Sequence, residues 1–281
     1  MSEVWTIRRV LEWTREYLAE KGIENARLET EWLLGTALGL DRVGLYVNFD
    51  KPLNQNELGT IRGLVARRAK REPLQYILGS QEFFGLDFEV TPAVLIPRHD
   101  TEVLVEEALK RAPAAGSILD IGVGSGCIAV SLAKSLPETA VWGVDRSAAA
   151  LALARRNVER HGVRVTLVEG SLFEPLTGER FDMIVSNPPY IPTADIGTLQ
   201  AEVRDAEPLM ALDGGVDGLD FYRLIVSGAS GHLAPRGWLM VEVGIGQAEA
   251  VLGMFTRAGF GDCFTAKDPN GIDRVVGGRI P

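Results

Sequence analysis

The sequence is poor in the residues that build disulfides and metal sites. Its 281 residues include two cysteines, Cys127 and Cys263, and three histidines, His99, His161 and His232. The cysteines are far apart without paired spacing, which favours a reducing compartment and argues against structural zinc. The histidines are scattered, so the sequence predicts no metal site.

Long apolar runs and an excess of basic charge are also missing. No apolar stretch is long enough to span a bilayer, and charged residues such as Arg8 and Glu12 interrupt the N-terminal region, unlike a signal peptide. The formal net charge is -9, which argues against holding nucleic acid by bulk electrostatics. We expect a cytoplasmic, monomeric protein that binds neither membrane nor, directly, nucleic acid.

One stretch, residues 181–190, reads Phe-Asp-Met-Ile-Val-Ser-Asn-Pro-Pro-Tyr. Its apolar run is typical of a buried parallel strand, and the two prolines then end that strand. Asn187 therefore lies at a strand's carboxyl end, where open α/β sheets bind ligands. Because Pro188 and Pro189 lack N–H groups, the turn offers oxygen acceptors to an amide or an exocyclic amine. Tyr190 adds an aromatic face. The tetrapeptide alone would also fit a strand-ending turn without function.

Residues 5–71 have a helical pattern. Apolar residues recur every three or four positions, which predicts a small helical bundle with Asn54 or Asn56 capping its last helix. A basic cluster ends the bundle: Arg62, Arg67, Arg68, Lys70 and Arg71. It is interpreted as a solvated helix face or, alternatively, as a docking surface for an acidic partner.

The next segment is punctuated by Pro73, Pro92 and Pro97. Residues 83–90 alternate around Gly85 as in a short hairpin. We therefore predict three regions: a helical substrate-docking domain over 1–75, a linker with a hairpin over 76–99, and a catalytic domain over 100–281.

From residue 100 the pattern alternates between strand and helix, which predicts an α/β domain. Asp100 can cap a helix that runs to about residue 111. Further helices are predicted at 127–135, 148–161, 221–229 and 247–258. Strands are predicted at 118–121, 141–144, 165–168, 181–186 and 238–243, with 263–265 and 274–276 as a final hairpin.

Residues 120–126, Asp-Ile-Gly-Val-Gly-Ser-Gly, form a glycine-rich turn after the first of these strands. Glycines let a ligand approach the backbone at a helix N-terminus, and Asp145, which ends the next strand, can bind a ribose diol. A dinucleotide site would show G-x-G-x-x-G, whereas this chain has G-x-G-x-G. Asp120 would repel a pyrophosphate but attract the ammonium of a methionine tail. The turn therefore favours S-adenosylmethionine, although alone it would also fit any tight α/β turn.

Together these motifs resemble the amino- or amide-directed class I methyltransferases, and specifically the peptide chain release factor glutamine methyltransferases, the HemK/PrmC family. The resemblance covers nearly the whole chain and is loosest in the first seventy residues. The Asn-Pro-Pro-Tyr motif is shared with DNA and RNA amino-methyltransferases, whereas the motif in residues 71–79 is more specific. Further matching segments are 82–85, 96–98, 100–102, 217–222 and 273–276.

The resemblance implies a helical docking domain followed by a Rossmann-like methyltransferase domain, whose mostly parallel sheet has an antiparallel last strand. It implies methyl transfer from S-adenosylmethionine to the side-chain amide nitrogen (N5) of the glutamine in the Gly-Gly-Gln motif of release factors. The cofactor residues implied are Asp120, Ile121, Gly122, Val123, Gly124, Asp145, Leu172 and Asn187. The substrate residues implied are Asn187, Pro188, Pro189 and Tyr190, with Asn187, Pro188 and Tyr190 catalytic.

The chain departs from the family pattern at two positions. His99 stands where a proline is usual, and Leu172, beside the adenine, stands where a tryptophan is frequent. We expect both departures to affect the local binding affinity of the site and not the reaction that it catalyses.

Three alternative functions stay open on the sequence. A methyltransferase acting on an adenine or cytosine amine would share the Asn187 turn, but the acidic balance counts against it. An NAD-dependent oxidoreductase is disfavoured by the glycine spacing. A binding module that keeps the cofactor without chemistry is disfavoured by the intact turn. The amide-directed reaction requires mainly orientation and electrostatics, and we assign no general base.

Overall fold

The computed structural model describes residues 4–112 and 116–281. The chain divides into two compact units: Met1–Gly79 with Ala201–Ala206, and Ser80–Gln200 with Glu207–Pro281. The helices are α1 (Ile7–Glu20), α2 (Ala26–Leu38), α3 (Arg42–Val47), α4 (Gln55–Ala69), α5 (Leu74–Leu78), α6 (Glu102–Arg111), α7 (Cys127–Ser135), α8 (Ala148–His161), α9 (Ala201–Arg204), α10 (Asp220–His232) and α11 (Ala248–Arg257). None of the helices in the described part of the chain has the length and apolar character to cross a membrane.

The strands are β1 (Ser80–Phe83), β2 (Leu86–Glu89), β3 (Ser117–Ile121), β4 (Ala140–Asp145), β5 (Val165–Glu169), β6 (Phe181–Ser186), β7 (Leu233–Glu242), β8 (Gly261–Lys267) and β9 (Asp273–Arg279). Five of the predicted strands and the final hairpin are therefore present. Most of their ends shift by at most three residues, but β7 begins at Leu233 rather than at residue 238.

The first unit is a helical bundle whose core is formed by apolar residues of α1 to α5, such as Ile7, Leu33 and Leu45, all fully buried. Asn54 caps α4 through two reciprocal hydrogen bonds. The Asn54 side chain accepts from the Glu57 backbone N–H, and the Glu57 carboxylate accepts from the Asn54 backbone N–H. Sequence periodicity predicted α1, α2 and α4, but it missed α3 and α5, which are too short to show a period.

The basic cluster is mostly neutralised within this unit. Arg68 is buried and forms ion pairs with Glu29 and, at 3.0 Å, with Glu202. Arg71 contacts the same Glu202 oxygen at 3.0 Å, and Arg67 pairs with Glu72. The interpretation as a solvated face is therefore wrong for Arg68, because an arginine is buried only where carboxylates compensate its charge.

The second unit contains a seven-stranded sheet in the order β5-β4-β3-β6-β7-β9-β8. Neighbours from β5 to β7 are parallel, and β9 is antiparallel to both β7 and β8. The predicted Rossmann-like fold with an antiparallel last strand is thus confirmed. Successive residues of a strand face opposite sides of the sheet. Ile118 packs in the core cluster that includes α6, α7 and α8, whereas Leu119 packs in the core cluster that includes α10 and α11.

The hairpin before the sheet pairs β1 with β2. Its two turn residues, Phe84 and Gly85, have φ angles of 52° and 70°, which is the signature of a type I′ turn. The predicted hairpin is therefore present, but its first strand begins at Ser80 rather than Phe83.

The predicted cap of α6 is wrong. Thr101 is the N-cap residue, whereas Asp100 lies in a preceding 3₁₀ turn. The Asp100 carboxylate instead pairs with Arg274 of β9 at 2.7 Å. Arg274 is largely buried, so pairing its charge takes precedence over capping a helix.

Candidate active site

A cavity opens at the carboxyl ends of β3, β4 and β6, where the strand order reverses. Its volume is about 1050 Å³ with its open mouth included. All but two of the residues predicted for the site line this cavity: Ile121, Gly122, Val123, Gly124, Asp145, Leu172, Asn187, Pro188 and Pro189. The two exceptions are Asp120 and Tyr190.

The glycine turn after β3 is anchored to the end of β4. Gly122 N–H donates to the Val144 carbonyl at 2.8 Å, and Gly124 N–H donates to Asp145 Oδ2 at 2.9 Å. Gly122 and Gly124 have φ angles of 78° and 52°, in the left-handed region that favours glycine. A Cβ atom on Gly122 would meet no atom within 4 Å, so the backbone there faces open space that a ligand can occupy.

Asp145 holds the position expected for a ribose-binding acid. Its Oδ1 accepts from Ser147 N–H at 2.9 Å, and its Oδ2 accepts from Gly124. These two bonds fix the carboxylate at the cavity wall, and each oxygen keeps a second lone pair for a ligand hydroxyl.

Asp120 lies behind the turn rather than in the wall. It is fully buried, and its Oδ2 accepts from Ala129 N–H in α7 at 3.2 Å. Its Oδ1 is left without a hydrogen-bond partner among the described residues. Burial raises the pKa of Asp120 to about 7, although the hydrogen bond from Ala129 N–H acts to lower it. Any attraction of Asp120 for an ammonium would therefore act through the turn and not by contact.

Leu172 lines the cavity just after β5. Its φ angle is 51°, which is uncommon for a residue other than glycine, asparagine or aspartate. The turn therefore presents an apolar side chain to the cavity. Its position beside the adenine stays a prediction.

Asn187 is fixed by two neighbours. Ser186 Oγ donates to the Ile121 carbonyl at 2.7 Å, which joins the ends of β6 and β3. The Asn187 amide donates through Nδ2 to Thr101 Oγ1 at 3.1 Å. Within the described part of the chain no donor contacts Asn187 Oδ1, so this oxygen is available as an acceptor beside Pro188 and Pro189.

Tyr190 anchors the end of the turn. Its ring packs with the core on the α10 side, its hydroxyl donates to Glu242 Oε1 at 3.4 Å, and its carbonyl accepts from Gln247 Nε2 at 2.9 Å. Burial, reinforced by the Glu242 charge, raises the pKa of Tyr190. The ring does not line the cavity, so its predicted contact with a substrate amide stays a prediction.

The chain matches two family descriptions, the PrmC N-terminal domain over residues 9–79 and the methyltransferase small domain over residues 99–216. The release factor glutamine methyltransferase of Geobacter sulfurreducens is 77% identical over 99% of this chain and 98% of its own length. The chain belongs to the release factor glutamine methyltransferase family. The member from Moorella thermoacetica is 48% identical over 88% of each chain.

A solved structure supports the fold of this chain. The crystal structure of a methyltransferase from Pyrococcus furiosus has a TM-score of 0.53 and 20% identity, over 70% of this chain and 89% of that chain. At this identity the likeness is one of fold alone. The likeness agrees with the predicted fold class. The family membership confirms the predicted S-adenosylmethionine-dependent protein-glutamine methyltransferase activity and the predicted cofactor.

Sequence reasoning missed an ion pair at the cavity. Arg98 lines the cavity, and its Nη2 donates to both carboxylate oxygens of Glu207 at 2.7 and 2.8 Å. The Glu207 side chain is almost fully buried. The motif around Arg98 contributed to the resemblance, but its partner is 109 residues away in sequence, so no local signal could reveal the pair.

Two further residues next to Asn187 were also missed. Thr101 accepts from the Asn187 amide and lines the cavity. Glu242, at the end of β7, is buried beside Thr101 and Tyr190, and this burial raises the pKa of Glu242 to about 7. The neighbouring Thr101 hydroxyl and the charge of Arg274 act to lower this pKa. The sequence did contain a signal for Glu242, because this carboxylate stands within an otherwise apolar strand pattern.

Proposed function

We propose that this protein transfers the methyl group of S-adenosylmethionine to N5 of the glutamine in the Gly-Gly-Gln motif of peptide chain release factors. It then acts in translation termination, in the cytoplasm. The observation that carries the proposal is the Asn187 turn, whose free Oδ1 shares one cavity with the glycine turn and Asp145. The 77% identity with the Geobacter enzyme supports the same assignment.

The cofactor half of the cavity fits S-adenosylmethionine. The open backbone at Gly122 and Gly124 leaves room for the methionine portion of the cofactor. The Asp145 carboxylate can accept hydrogen bonds from two ribose hydroxyls. Leu172 offers an apolar wall. When bound, the cofactor supplies an electrophilic sulfonium methyl group. Ile121 and Val123 contribute to the same wall.

The substrate half is suited to an amide. An amide nitrogen is a weak nucleophile, so the protein must orient it and stabilise the positive charge that develops on it. Asn187 Oδ1 and a carbonyl of the Pro188 region can accept the two N–H groups of the glutamine side chain. This pair of acceptors aims the nitrogen and favours its developing charge. The proposed contribution of Tyr190 is an aromatic face for the amide plane.

The helical bundle is proposed as the docking domain, over residues 1–75 as predicted. It carries exposed apolar side chains, among them Trp13 and Trp32, which are 49% and 46% accessible. Exposed aromatic residues are frequent in protein interfaces. We further propose that the enzyme is monomeric and does not bind nucleic acid directly.

The test is methylation with labelled S-adenosylmethionine of a full-length release factor, of the same factor with its Gly-Gly-Gln glutamine replaced by alanine, and of DNA and RNA. We expect label in the unaltered release factor alone, with mass spectrometry locating the methyl group on that glutamine. Label in nucleic acid, or equal label in the altered factor, would contradict the proposed substrate.

A further inference from the structure

The turn that carries the substrate acceptors has fewer donors than ordinary backbone to hold it in place. Pro188 and Pro189 have no N–H group, so they cannot donate hydrogen bonds that would tie this backbone to the rest of the fold. The acceptors of the turn must nevertheless keep a fixed position, because they aim the amide nitrogen at the methyl group. The contacts of the next residue, Tyr190, therefore bear on how firmly the turn is held.

Gln247 provides the side chain that holds this residue. Its Nε2 donates to the Tyr190 carbonyl at 2.9 Å and to the Gly218 carbonyl at 3.4 Å. Its Oε1 accepts from Gly244 N–H at 3.0 Å and from the Tyr222 hydroxyl at 3.2 Å. A side-chain amide has two N–H donors and an oxygen with two lone pairs. Each of these donors and acceptors therefore has a partner.

The orientation of this amide follows from backbone groups whose roles are fixed. The carbonyls of Tyr190 and Gly218 can only accept, so the amide nitrogen faces them. The Gly244 N–H can only donate, so the amide oxygen faces it. The Tyr222 hydroxyl, which also lies 3.0 Å from the Glu242 carbonyl, is not needed for this assignment. One side chain thus joins three separate segments of backbone.

Glycines surround the amide at close range. A Cβ atom on Gly218 would lie 2.4 Å from the Tyr190 carbonyl oxygen and 2.7 Å from Gln247 Nε2. A Cβ atom on Gly244 would lie 2.8 Å from Gln247 Oε1. Glycine permits such a close approach because it has no side chain. A side chain at either position would therefore displace the amide or the turn.

The place of Gln247 in its own helix gives no local reason for these contacts. It is the N-cap residue of α11, where serine, threonine, aspartate and asparagine are preferred because their side chains accept from the first turn of the helix. The Gln247 side chain makes no such capping bond. It reaches instead to Tyr190, which is 57 residues away in sequence. The side chain therefore serves a tertiary contact and not the helix.

We propose that Gln247 is a positioning residue for methyl transfer, which holds the Tyr190 carbonyl and, with it, the backbone of the substrate turn. The inference rests on the proposed function, in which a carbonyl of the Pro188 region accepts one N–H of the glutamine amide. If that carbonyl moved, the amide nitrogen would be poorly aimed at the methyl group. The contacts of Gln247 do not include the glycine turn or Asp145, so cofactor affinity should not depend on it.

The experiment compares Gln247→Glu with the unaltered enzyme. A glutamate keeps the length of the side chain but places a carboxylate oxygen where Nε2 donates to two carbonyls. The readout is single-turnover methylation of a release factor, with the KM for the factor measured alongside. Calorimetry with S-adenosylmethionine gives the Kd and the number of intact cofactor sites. We expect the rate per cofactor site to fall about tenfold, with little change in KM and Kd. Gln200→Glu, the same substitution at an exposed position, is the matched control and should leave the rate unchanged.

Gly244→Ala perturbs the same contact from another residue, and it decides the question if Gln247→Glu fails to fold. Its Cβ atom would crowd Gln247 Oε1, so we expect a lower rate per cofactor site with the same Kd. Gly231→Ala is its matched control, because a Cβ atom there meets no atom within 4 Å. If both variants act through one contact, their losses should not multiply in the double variant.

An undiminished rate per cofactor site in Gln247→Glu, or in Gly244→Ala where that variant decides, would overturn the inference. A loss of rate with an equal loss of cofactor affinity would also overturn it, because that pattern indicates general damage to the cavity. Losses that multiply in the double variant would show that the two residues act separately. Failure of the unaltered enzyme to methylate a release factor would instead contradict the proposed function, so the two failures are distinguishable.

Discussion

Replacing Glu242 with glutamine should stabilise the fold at alkaline pH but much less at acidic pH. Burial raises the pKa of Glu242 from an ordinary 4.5 to about 7. Between these values the folded chain binds more protons than the unfolded chain, so the stability that Glu242 contributes is lost as the pH rises through 7. The neutral, nearly isosteric glutamine avoids this loss.

The magnitude follows from the two pKa values. One pH unit of difference between the folded and unfolded pKa corresponds to about 1.36 kcal/mol, so the ionised carboxyl costs the fold about 3 kcal/mol once the pH is above 7. At pH 5 the cost is about 1 kcal/mol. The advantage of Glu242→Gln over the unaltered protein should therefore grow by about 2 kcal/mol between pH 5 and pH 8, or about 5 °C in Tm.

The assay is urea unfolding followed by circular dichroism at pH 5, 6, 7 and 8. Glu138→Gln is the matched control, because Glu138 is exposed and the substitution is the same. The charged and titratable neighbours of Glu242, namely Tyr190, Arg274, Asp100 and Cys127, are present in both proteins and largely cancel. A stability difference that stays constant across this range would show that Glu242 ionises as an exposed carboxyl does.

Three further predictions concern binding and turnover. Asp145→Ala should weaken S-adenosylmethionine binding by roughly 1–3 kcal/mol, since two ribose hydroxyls lose a charged acceptor; an unchanged Kd in calorimetry would remove Asp145 from the ribose. Asn187→Ala should lower kcat on the order of 100-fold with a smaller effect on KM, measured by single turnover with thermal melts as the folding control. Near-normal turnover would show that Asn187 does not orient the amide. Combined Trp13→Ala and Trp32→Ala should raise KM for a whole release factor about tenfold, without changing the rate on a short Gly-Gly-Gln peptide; equal effects on both substrates would argue against docking.

Local signals in the sequence were sufficient for the elements around the cavity. The 3.6-residue period gave α1, α2 and α4, and short apolar runs between turn residues gave the strands of the sheet. The glycine turn, Asp145 and the Asn187 turn each lie at the end of a predicted strand, so the rule that ligands bind at the carboxyl ends of parallel strands assembled them into one site.

The sequence by itself therefore determined which backbone turns form the cavity, because those turns depend on glycine and proline at fixed positions. Only the tertiary structure decided what holds the side chains in it. Thr101 is 86 residues from Asn187, and Glu242 is 52 residues from Tyr190, so their contacts exist only once β6, β7 and α6 have packed together. The same holds for Glu202, whose carboxylate neutralises Arg68 from 134 residues away. Whether a charged side chain can be buried depends on the partners that the fold brings to it, and those partners are distant in sequence.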